Sequence, residues 1–269
     1  MKKILFPTDF SPVALNAYKY AVEFAKVTGA SIDILYVYPF PITGSEEYVH
    51  PDQIQAIIRE RERVAMKKMK AFCESCPFDN IGKKIAQHSI FEEQDIIEQS
   101  KKNIYDLVIM GTKGERNRLD KFMGSITTRT MMNAGCPVLA IPENAKFEGI
   151  KQIVYATTMN SKDKHFLTEL TKFKTQFKAE VQFLHVSSDP ESGATEKIVL
   201  PDYSSKFVNF SVVSNPSVME GIDEFISKNK VDILALYIPK RGLWERLFHT
   251  SFTKKMTFHT ETPLLVFHG

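Results

Sequence analysis

The chain has 269 residues, of which 43% are hydrophobic and 25% charged, a composition typical of globular proteins. That length supplies core for one large domain or two of middling size. A formal net charge of +3 without a compact run of Lys and Arg argues against nucleic acid as a partner. The apolar run after the first three residues is too short for a secretory signal, and no stretch approaches the roughly 20 apolar residues of a membrane span. We therefore expect a soluble, cytoplasmic protein with neither nucleic acid nor membrane as a partner.

The first elements along the chain form a βαβ unit. Ile4–Phe6 is a short strand, and Ser11 with Pro12 gives an N-cap and a proline in the first helical turn. Gly29 ends that helix, and Ile32–Val37 is the second strand. The spacing predicts two parallel strands joined by a right-handed crossover.

Asp9 and Val37 follow these two strands at their carboxyl ends, where a doubly wound sheet binds its ligand. Asp9 has two interpretations that its residue type does not separate. It accepts a hydrogen bond from a ligand, or it belongs to the turn and caps the helix.

Three further elements precede the next motif. An amphipathic helix from about residue 52 to residue 73, a strand at Ile81–Ile90 and a helix that carries Ile96, Ile97 and Ser100 are predicted. Cys73 and Cys76 form a C-x2-C pair without the second pair that a structural zinc site needs. The pair also ends a helical pattern, whereas a redox pair of the thioredoxin type opens one. We therefore expect neither a metal site nor a redox site.

The stretch from residue 106 to residue 142 reads as strand, glycine loop, helix and strand. The apolar run Leu107–Met110 ends at Gly111, and Gly114, Gly124 and Ser125 follow at the spacing Gly-x2-Gly-x9-Gly-Ser. Glycines at a strand end allow positive φ and the close approach of a ligand to bare backbone. A Gly-Ser pair that opens a helix offers N–H groups, a hydroxyl and the positive end of the helix dipole to an anion. The pattern predicts a phosphate site, although neither G-x4-G-K-[ST] nor G-x-G-x-x-G occurs.

This spacing resembles the ATP-binding motif of the universal stress protein family, and the segment from Gly124 to Leu139 resembles that family's last helix and strand. The resemblance implies that Asp9 and Val37 contact the nucleoside, with Pro7 and Thr8 beside them. It implies that the glycines and Ser125 hold the phosphates, with Met110 and Ile126 adjacent. The expected cofactor is ATP, with AMP or ADP as alternatives and room for Mg²⁺. The full set of expected ligand-binding residues is Pro7, Thr8, Asp9, Val37, Met110, Gly111, Gly114, Gly124, Ser125 and Ile126.

The pattern then restarts. Lys2–Asp9 matches Lys151–Thr158 at an offset of 149, and Asp106-Leu107 matches Asp232-Ile233 at an offset of 126. The second copy is therefore 23 residues shorter in its middle (149 minus 126), where Ser187–Ser205 replaces the long second helix.

The second copy changes the residues of the motif. Gly111, Gly114 and Gly124 become Tyr237, Lys240 and Thr250, and Asp9 becomes Thr158, while Ser125 is kept as Ser251. We expect this copy to keep the fold and lose the ATP site, with Tyr237 obstructing the phosphate path. The second copy also has basic residues around the former motif, together with Trp244 and His185. Two interpretations of this group stay open: it binds an anionic or aromatic ligand, or it is a solvated loop with a packed Trp244.

These features predict an α/β protein with two tandem doubly wound domains, residues 1–142 and 149–269, each a five-stranded parallel sheet flanked by helices. Members of the family dimerise through the last strand. Two copies in one chain therefore imply an internal pseudo-dimer that pairs Val138–Ile141 with Leu264–Phe267, and a homodimer of chains is a further expectation.

The function that the resemblance implies is ATP binding by a regulatory or sensing module of the stress response. One alternative is an interaction scaffold without nucleotide, although three retained glycines argue against a disused site. The other is a weak ATPase, at most a slow one, because no acid is placed to hold Mg²⁺ and no base to activate water. No catalytic residue is predicted.

Overall fold

The computed structural model describes residues 1–39, 51–112, 123–157, 167–187, 209–238 and 262–268. The first half contains, in chain order, β1 (Lys3–Pro7), α1 (Pro12–Thr28), β2 (Ser31–Pro39), α2 (Pro51–Glu74), β3 (Ile81–Ser89), α3 (Glu92–Ser100), β4 (Leu107–Gly111), α4 (Ser125–Asn133) and β5 (Val138–Ile141). The second half contains β6 (Gln152–Ala156), α5 (Leu167–Phe177), β7 (Glu180–Ser187), β8 (Asn209–Ser214), α6 (Val218–Lys228), β9 (Ile233–Ile238) and β10 (Leu264–His268).

Across the described residues the strands form one ten-stranded sheet in the order β3-β2-β1-β4-β5-β10-β9-β6-β7-β8. Each half contributes five parallel strands, and the halves meet where β5 and β10 pair antiparallel. In that pair Leu139 lies opposite Leu265 and Val138 lies opposite Val266. The predicted doubly wound α/β fold and the pairing of the two last strands are confirmed.

The strand register repeats between the halves at the offsets found in the sequence. Ile4 lies opposite Leu107 in the β1–β4 pair, and Ile153 lies opposite Ile233 in the β6–β9 pair. These positions differ by 149 on the first strand and by 126 on the second. The Thr8 N–H donates to the Leu35 carbonyl at 2.9 Å, and the residues 149 positions further along repeat that bond at 2.9 Å. The sequence repeat is thus a repeat of backbone pairing.

The ends of α1 follow the predicted signals. The Ser11 hydroxyl accepts the Ala14 N–H at 3.1 Å, and Pro12 is the first helical residue. Gly29 ends the helix in the left-handed conformation, at φ 73°, and donates its N–H to the Ala25 carbonyl at 2.8 Å.

Buried clusters cover both faces of the sheet, and each contains residues from both halves. On one face aromatic rings join the halves. Phe24 of α1 lies 6.3 Å from Phe173 of α5 and 5.0 Å from Phe177. Phe147, between β5 and β6, packs on Phe24 at 6.1 Å, and Phe173 packs on Phe267 of β10 at 6.0 Å. This packing adds apolar contact to the hydrogen bonds of the β5–β10 pair.

Two kinds of feature are absent from the described part of the chain: a membrane-spanning helix and a cluster of metal ligands. None of its helices is both long and apolar enough to cross a bilayer. In the same part of the chain, no three His, Cys, Asp or Glu side chains group together as metal ligands would. The segment Ser187–Ser205, which replaces the long helix in the second half, lies almost wholly outside the described residues.

Candidate functional site

A cavity of about 470 Å³ opens at the carboxyl ends of β1, β2, β3 and β4. The chain runs from β1 to β2 on one side and returns as β4 on the other, so this is the switch point of the first half-sheet. Nine residues predicted to bind the ligand line the cavity: Pro7, Thr8, Asp9, Val37, Met110, Gly111, Gly124, Ser125 and Ile126. The tenth, Gly114, lies outside the described residues.

The loop after β1 is held by side-chain acceptors. The Thr8 hydroxyl accepts the Phe10 N–H at 3.0 Å, and Oδ1 of Asp9 accepts the Ser11 N–H at 3.0 Å. Asp9 therefore belongs to the turn, as one of its two interpretations proposed, but Ser11 rather than Asp9 caps α1. Asp9 also faces the cavity, so a turn role and a ligand role are compatible.

Phe10 has a backbone conformation that the sequence did not predict. Its φ is 63°, in the left-handed region that a bulky residue seldom adopts. Its ring packs on Tyr36 at 4.5 Å and on Phe72 of α2 at 5.5 Å between centroids. This packing stabilises the strained residue and fixes the path of the loop beside Asp9.

The opposite wall of the cavity is the N-terminus of α4. Gly124 is the N-cap, and within the described residues no side chain caps the helix and no acid lies in its first turn. The Gly124 N–H donates to the Thr112 carbonyl at 2.8 Å, which fixes the entry of the chain into the helix. The first-turn N–H groups and the dipole end suit an anion.

The two site glycines that the structure describes do not adopt the positive φ that glycine allows. Gly124 has φ −61°, and Gly111 is absent from the positive-φ glycines of the described chain, Gly29 and Gly149. Gly111 is bare for a steric reason, because a Cβ there would lie 3.1 Å from Cγ1 of Val13 on α1. Its carbonyl accepts the Thr127 hydroxyl of α4 at 2.9 Å, so strand and helix meet closely here.

Eleven lining residues were not predicted. They come from α1, the end of β2, the end of β3, the segment between β3 and α3, α3 itself, and the first turn of α4. They are Ala14, Tyr36, Tyr38, Pro39, Ser89, Ile90, Phe91, Glu92, Glu93, Ile96 and Thr127. The β2–β3 register, with Pro39 opposite Ser89, brings the β3–α3 segment to the cavity. The signal available in the sequence was the continuation of β2 beyond Val37 in the apolar residues Tyr38 and Pro39.

Acidic side chains line the cavity on the α3 side, whereas the first turn of α4 carries none. Glu92 and Glu93 open α3 and line the cavity, and Glu93 forms an ion pair with Arg129 of α4. This pair joins the two helices that flank the opening.

Burial raises the pKa of the Tyr38 phenol, so that group is neutral at physiological pH.

The second half places different residues at the corresponding positions. Tyr237, which replaces Gly111, is 7% exposed and belongs to the buried cluster that contains Tyr155, Phe173 and Phe267. Its ring therefore occupies core volume on the face where Gly111 meets α1. His185 lies with Nδ1 3.0 Å from the Thr157 carbonyl and donates to it. The other substituted positions, Thr158, Lys240 and Thr250, lie outside the described residues, as do Trp244 and the retained Ser251.

Comparison with known structures shows the fold along the whole chain. A universal stress protein from Archaeoglobus fulgidus has a TM-score of 0.70 at 14% identity, over 99% of this chain and 98% of that one. A putative universal stress protein from Pseudomonas aeruginosa has a TM-score of 0.63 at 15% identity, over 100% of this chain and 93% of that one. At these identities the likeness concerns the fold alone.

Sequence comparison gives the family. A universal stress protein of Methanocaldococcus jannaschii is 34% identical over 153 residues, which cover 54% of this chain and 84% of that protein. The sequence model of the universal stress protein family matches residues 1–142, the part of the chain that carries the cavity. The chain therefore belongs to the universal stress protein family.

Proposed function

We propose that the first half of the chain binds an adenine nucleotide, ATP foremost, and serves as a regulatory or sensing module. The observation that carries the proposal is the convergence of nine predicted residues, spread from Pro7 to Ile126, on one cavity. The parallel sheet brings the strand ends together, and Gly124, Ser125 and Ile126 at the start of α4 line the same cavity.

The two ends of the cavity suit the two ends of a nucleotide. Gly111, Gly124 and Ser125 hold the phosphates, because the uncapped first turn of α4 supplies N–H groups and a positive dipole end. Asp9 and Val37 contact the nucleoside on the β1–β2 side. We expect Mg²⁺ to enter with the phosphates of ATP.

The second half is a universal stress protein domain that has lost this site. We place the domains at residues 1–142 and 149–269, and the repeated strand register supports that division. Tyr237, in place of Gly111, is a buried side chain at a position where α1 crowds even a Cβ in the first half. A cytoplasmic location and a homodimer of chains stay predictions from the sequence.

The decisive experiment is calorimetric titration of ATP into nucleotide-stripped protein, read for stoichiometry. We expect one site per chain. Gly124→Leu and Gly114→Asp should abolish binding while the circular dichroism spectrum stays that of the wild type. Two sites per chain would contradict the loss of the second site, and unchanged affinity in both glycine variants would overturn the nucleotide assignment.

A matched pair of variants separates the halves. Ser125→Ala removes a hydroxyl from the proposed phosphate site, and Ser251→Ala makes the same change at the corresponding position of the second half. We expect a several-fold loss of ATP affinity in the first variant and none in the second. Equal losses would assign the site to both halves.

A further inference from the structure

Two of the most exposed large apolar side chains in the described chain stand at the cavity. Ile90 is 66% exposed and Phe91 is 68% exposed, and both line the cavity from the segment between β3 and α3. Single exposed apolar residues are common on protein surfaces. Two consecutive exposed apolar residues at the rim of a cavity form an apolar surface that a bound ligand would cover.

The position of Phe91 is costly for the helix that it begins. It is the N-cap of α3, where Ser, Thr, Asp or Asn would accept a first-turn N–H, and no side chain caps the helix. The backbone is nevertheless fixed there. The Phe91 N–H donates to the Ser89 hydroxyl at 3.1 Å, and the Phe91 carbonyl accepts the Asp95 N–H at 3.1 Å. The backbone therefore holds an aromatic ring at the rim, at a position where a polar residue would stabilise the helix better.

The strand order sets which part of a ligand meets Phe91. β3 and β4 are separated by three strand spacings of about 4.8 Å, so the carboxyl ends of these two strands lie about 14 Å apart. A nucleotide whose phosphates bind at the N-terminus of α4 extends its base away from β4, over β1 and β2, toward β3. The lining at that end includes Tyr38, Pro39 and Ile96, which suit an apolar planar group better than a phosphate.

We propose that Phe91 is a base-contacting residue that stacks on the heteroaromatic base of the bound nucleotide, with Ile90 extending the same apolar surface. This inference rests on the proposed nucleotide function and adds the group that contacts the base. The ring is exposed without ligand because its partner is the ligand.

The test is calorimetric titration of ATP into the full-length wild type and three variants. Phe91→Ala removes the ring, Phe91→Tyr keeps it, and Ile104→Ala removes a side chain that is 52% exposed and does not line the cavity. Stacking of a base on an aromatic residue predicts about 5- to 100-fold weaker ATP binding for Phe91→Ala. Phe91→Tyr and Ile104→Ala should stay within about two-fold of the wild type.

A second measurement separates stacking from a structural role. Because Phe91 is exposed, Phe91→Ala should leave the melting temperature of the nucleotide-free protein unchanged and reduce only the increase that ATP produces. Wild-type affinity in Phe91→Ala would overturn the inference and leave the nucleotide site standing. Equal weakening by Phe91→Tyr, or a lower melting temperature without nucleotide, would also overturn it. Failure of the wild type to bind ATP would overturn the proposed function itself, and this inference with it.

Discussion

Asp106 and Asp232 make the same pair of hydrogen bonds in the two halves of the sheet. Each lies one residue before a strand, β4 or β9, and its Oδ2 accepts two consecutive backbone N–H groups at the start of the neighbouring strand. The donors to Asp106 are Lys2 at 2.6 Å and Lys3 at 2.9 Å, and those to Asp232 are Lys151 at 2.6 Å and Gln152 at 2.8 Å. The repeat therefore extends from backbone register to a specific side-chain contact.

This equivalence predicts equal and additive losses of stability. Asp106→Ala and Asp232→Ala should each lower the free energy of unfolding by about 1–2 kcal/mol, because each removes two charge-assisted hydrogen bonds, at an exposed carboxylate in Asp106 and a half-buried one in Asp232. Since the two carboxylates hold different strands, the double variant should show the sum within about 0.5 kcal/mol. Urea denaturation measures all three. A loss in one half only would contradict the structural equivalence.

Because Gly111 and Val13 lie in close contact, substitutions at these two positions should have coupled effects on stability. Gly111→Ala places a Cβ 3.1 Å from Cγ1 of Val13 and 3.4 Å from its carbonyl oxygen, so Val13 must move by a few tenths of an ångström. We expect Gly111→Ala to lower both ATP affinity and the free energy of unfolding, the latter by about 1–2 kcal/mol. Val13→Ala in the same chain removes the clashing methyl group. A double-mutant cycle should then show favourable coupling of about 0.5–2 kcal/mol, whereas additive losses would mean that crowding by Val13 is not the cause.

A third prediction concerns the buried carboxylate of Asp33, which is 0% exposed. Lys3 Nζ lies 3.0 Å from Oδ2, the Tyr105 hydroxyl donates to Oδ2 at 3.0 Å, and the Lys83 N–H donates to Oδ1 at 2.8 Å. Gly82 is required beside it, since a Cβ there would lie 2.1 Å from Oδ1. The cluster is at the amino ends of the strands, away from the cavity.

Asp33→Asn should therefore lower stability without changing ATP affinity. We expect a loss of about 2–4 kcal/mol, because the substitution leaves Lys3 without its counter-charge and turns an amide N–H₂ toward existing donors. Tyr105→Phe is the comparison and should cost about 1–2 kcal/mol, since it removes one hydrogen bond. Chemical denaturation gives both values. Asp33→Asn within 0.5 kcal/mol of the wild type would show that the pair contributes nothing.

Alkaline pH gives a fourth prediction. Burial raises the pKa of the Cys136 thiol from 9.0 to about 12, and the nearby charge of Asp106 acts in the same direction. The folded state thus keeps a proton that the unfolded state releases above pH 9. The stability from this group is fully present below pH 9 and is lost as pH rises toward 12, by up to about 1.4 kcal/mol per pH unit.

Cys136→Ala removes this titration and should flatten the fall in stability above pH 9 by that slope. The free energy of unfolding, measured at pH 7.5, 8.5, 9, 10 and 10.5, gives the comparison. Between pH 7.5 and 8.5 the two proteins should differ by a constant, which serves as the internal control. Parallel curves up to pH 10.5 would contradict a protonated, buried Cys136.

Local sequence signals predicted the helices and strands. The parallel order of the strands then made the position of much of the site predictable. The cap at Ser11 and the apolar run before Gly111 depend on residues a few positions apart. Because parallel strands present their carboxyl ends at one edge, Asp9, Val37 and Gly111 were expected near one another, and they line one cavity.

Contributions that depend on tertiary packing were not predictable in the same way. Phe91 reaches the cavity because Pro39 pairs with Ser89, and that register is set by the assembled sheet. Phe10 adopts positive φ because Tyr36 and Phe72 hold its ring, which outweighs a local preference against that conformation. The glycine at position 111 is explained by contact with α1, a helix about 100 residues earlier in the chain, and not by its own φ.

The antiparallel pairing of β5 with β10 also bears on how the protein responds to dilution. Both strands belong to one polypeptide, so their association is unimolecular and its extent does not depend on protein concentration. With β5 and β10 paired to each other, the outer strands of the described sheet are β3 and β8. The two halves thus stay together at concentrations where separate subunits of equal affinity would dissociate, and any further assembly of chains must use a different surface.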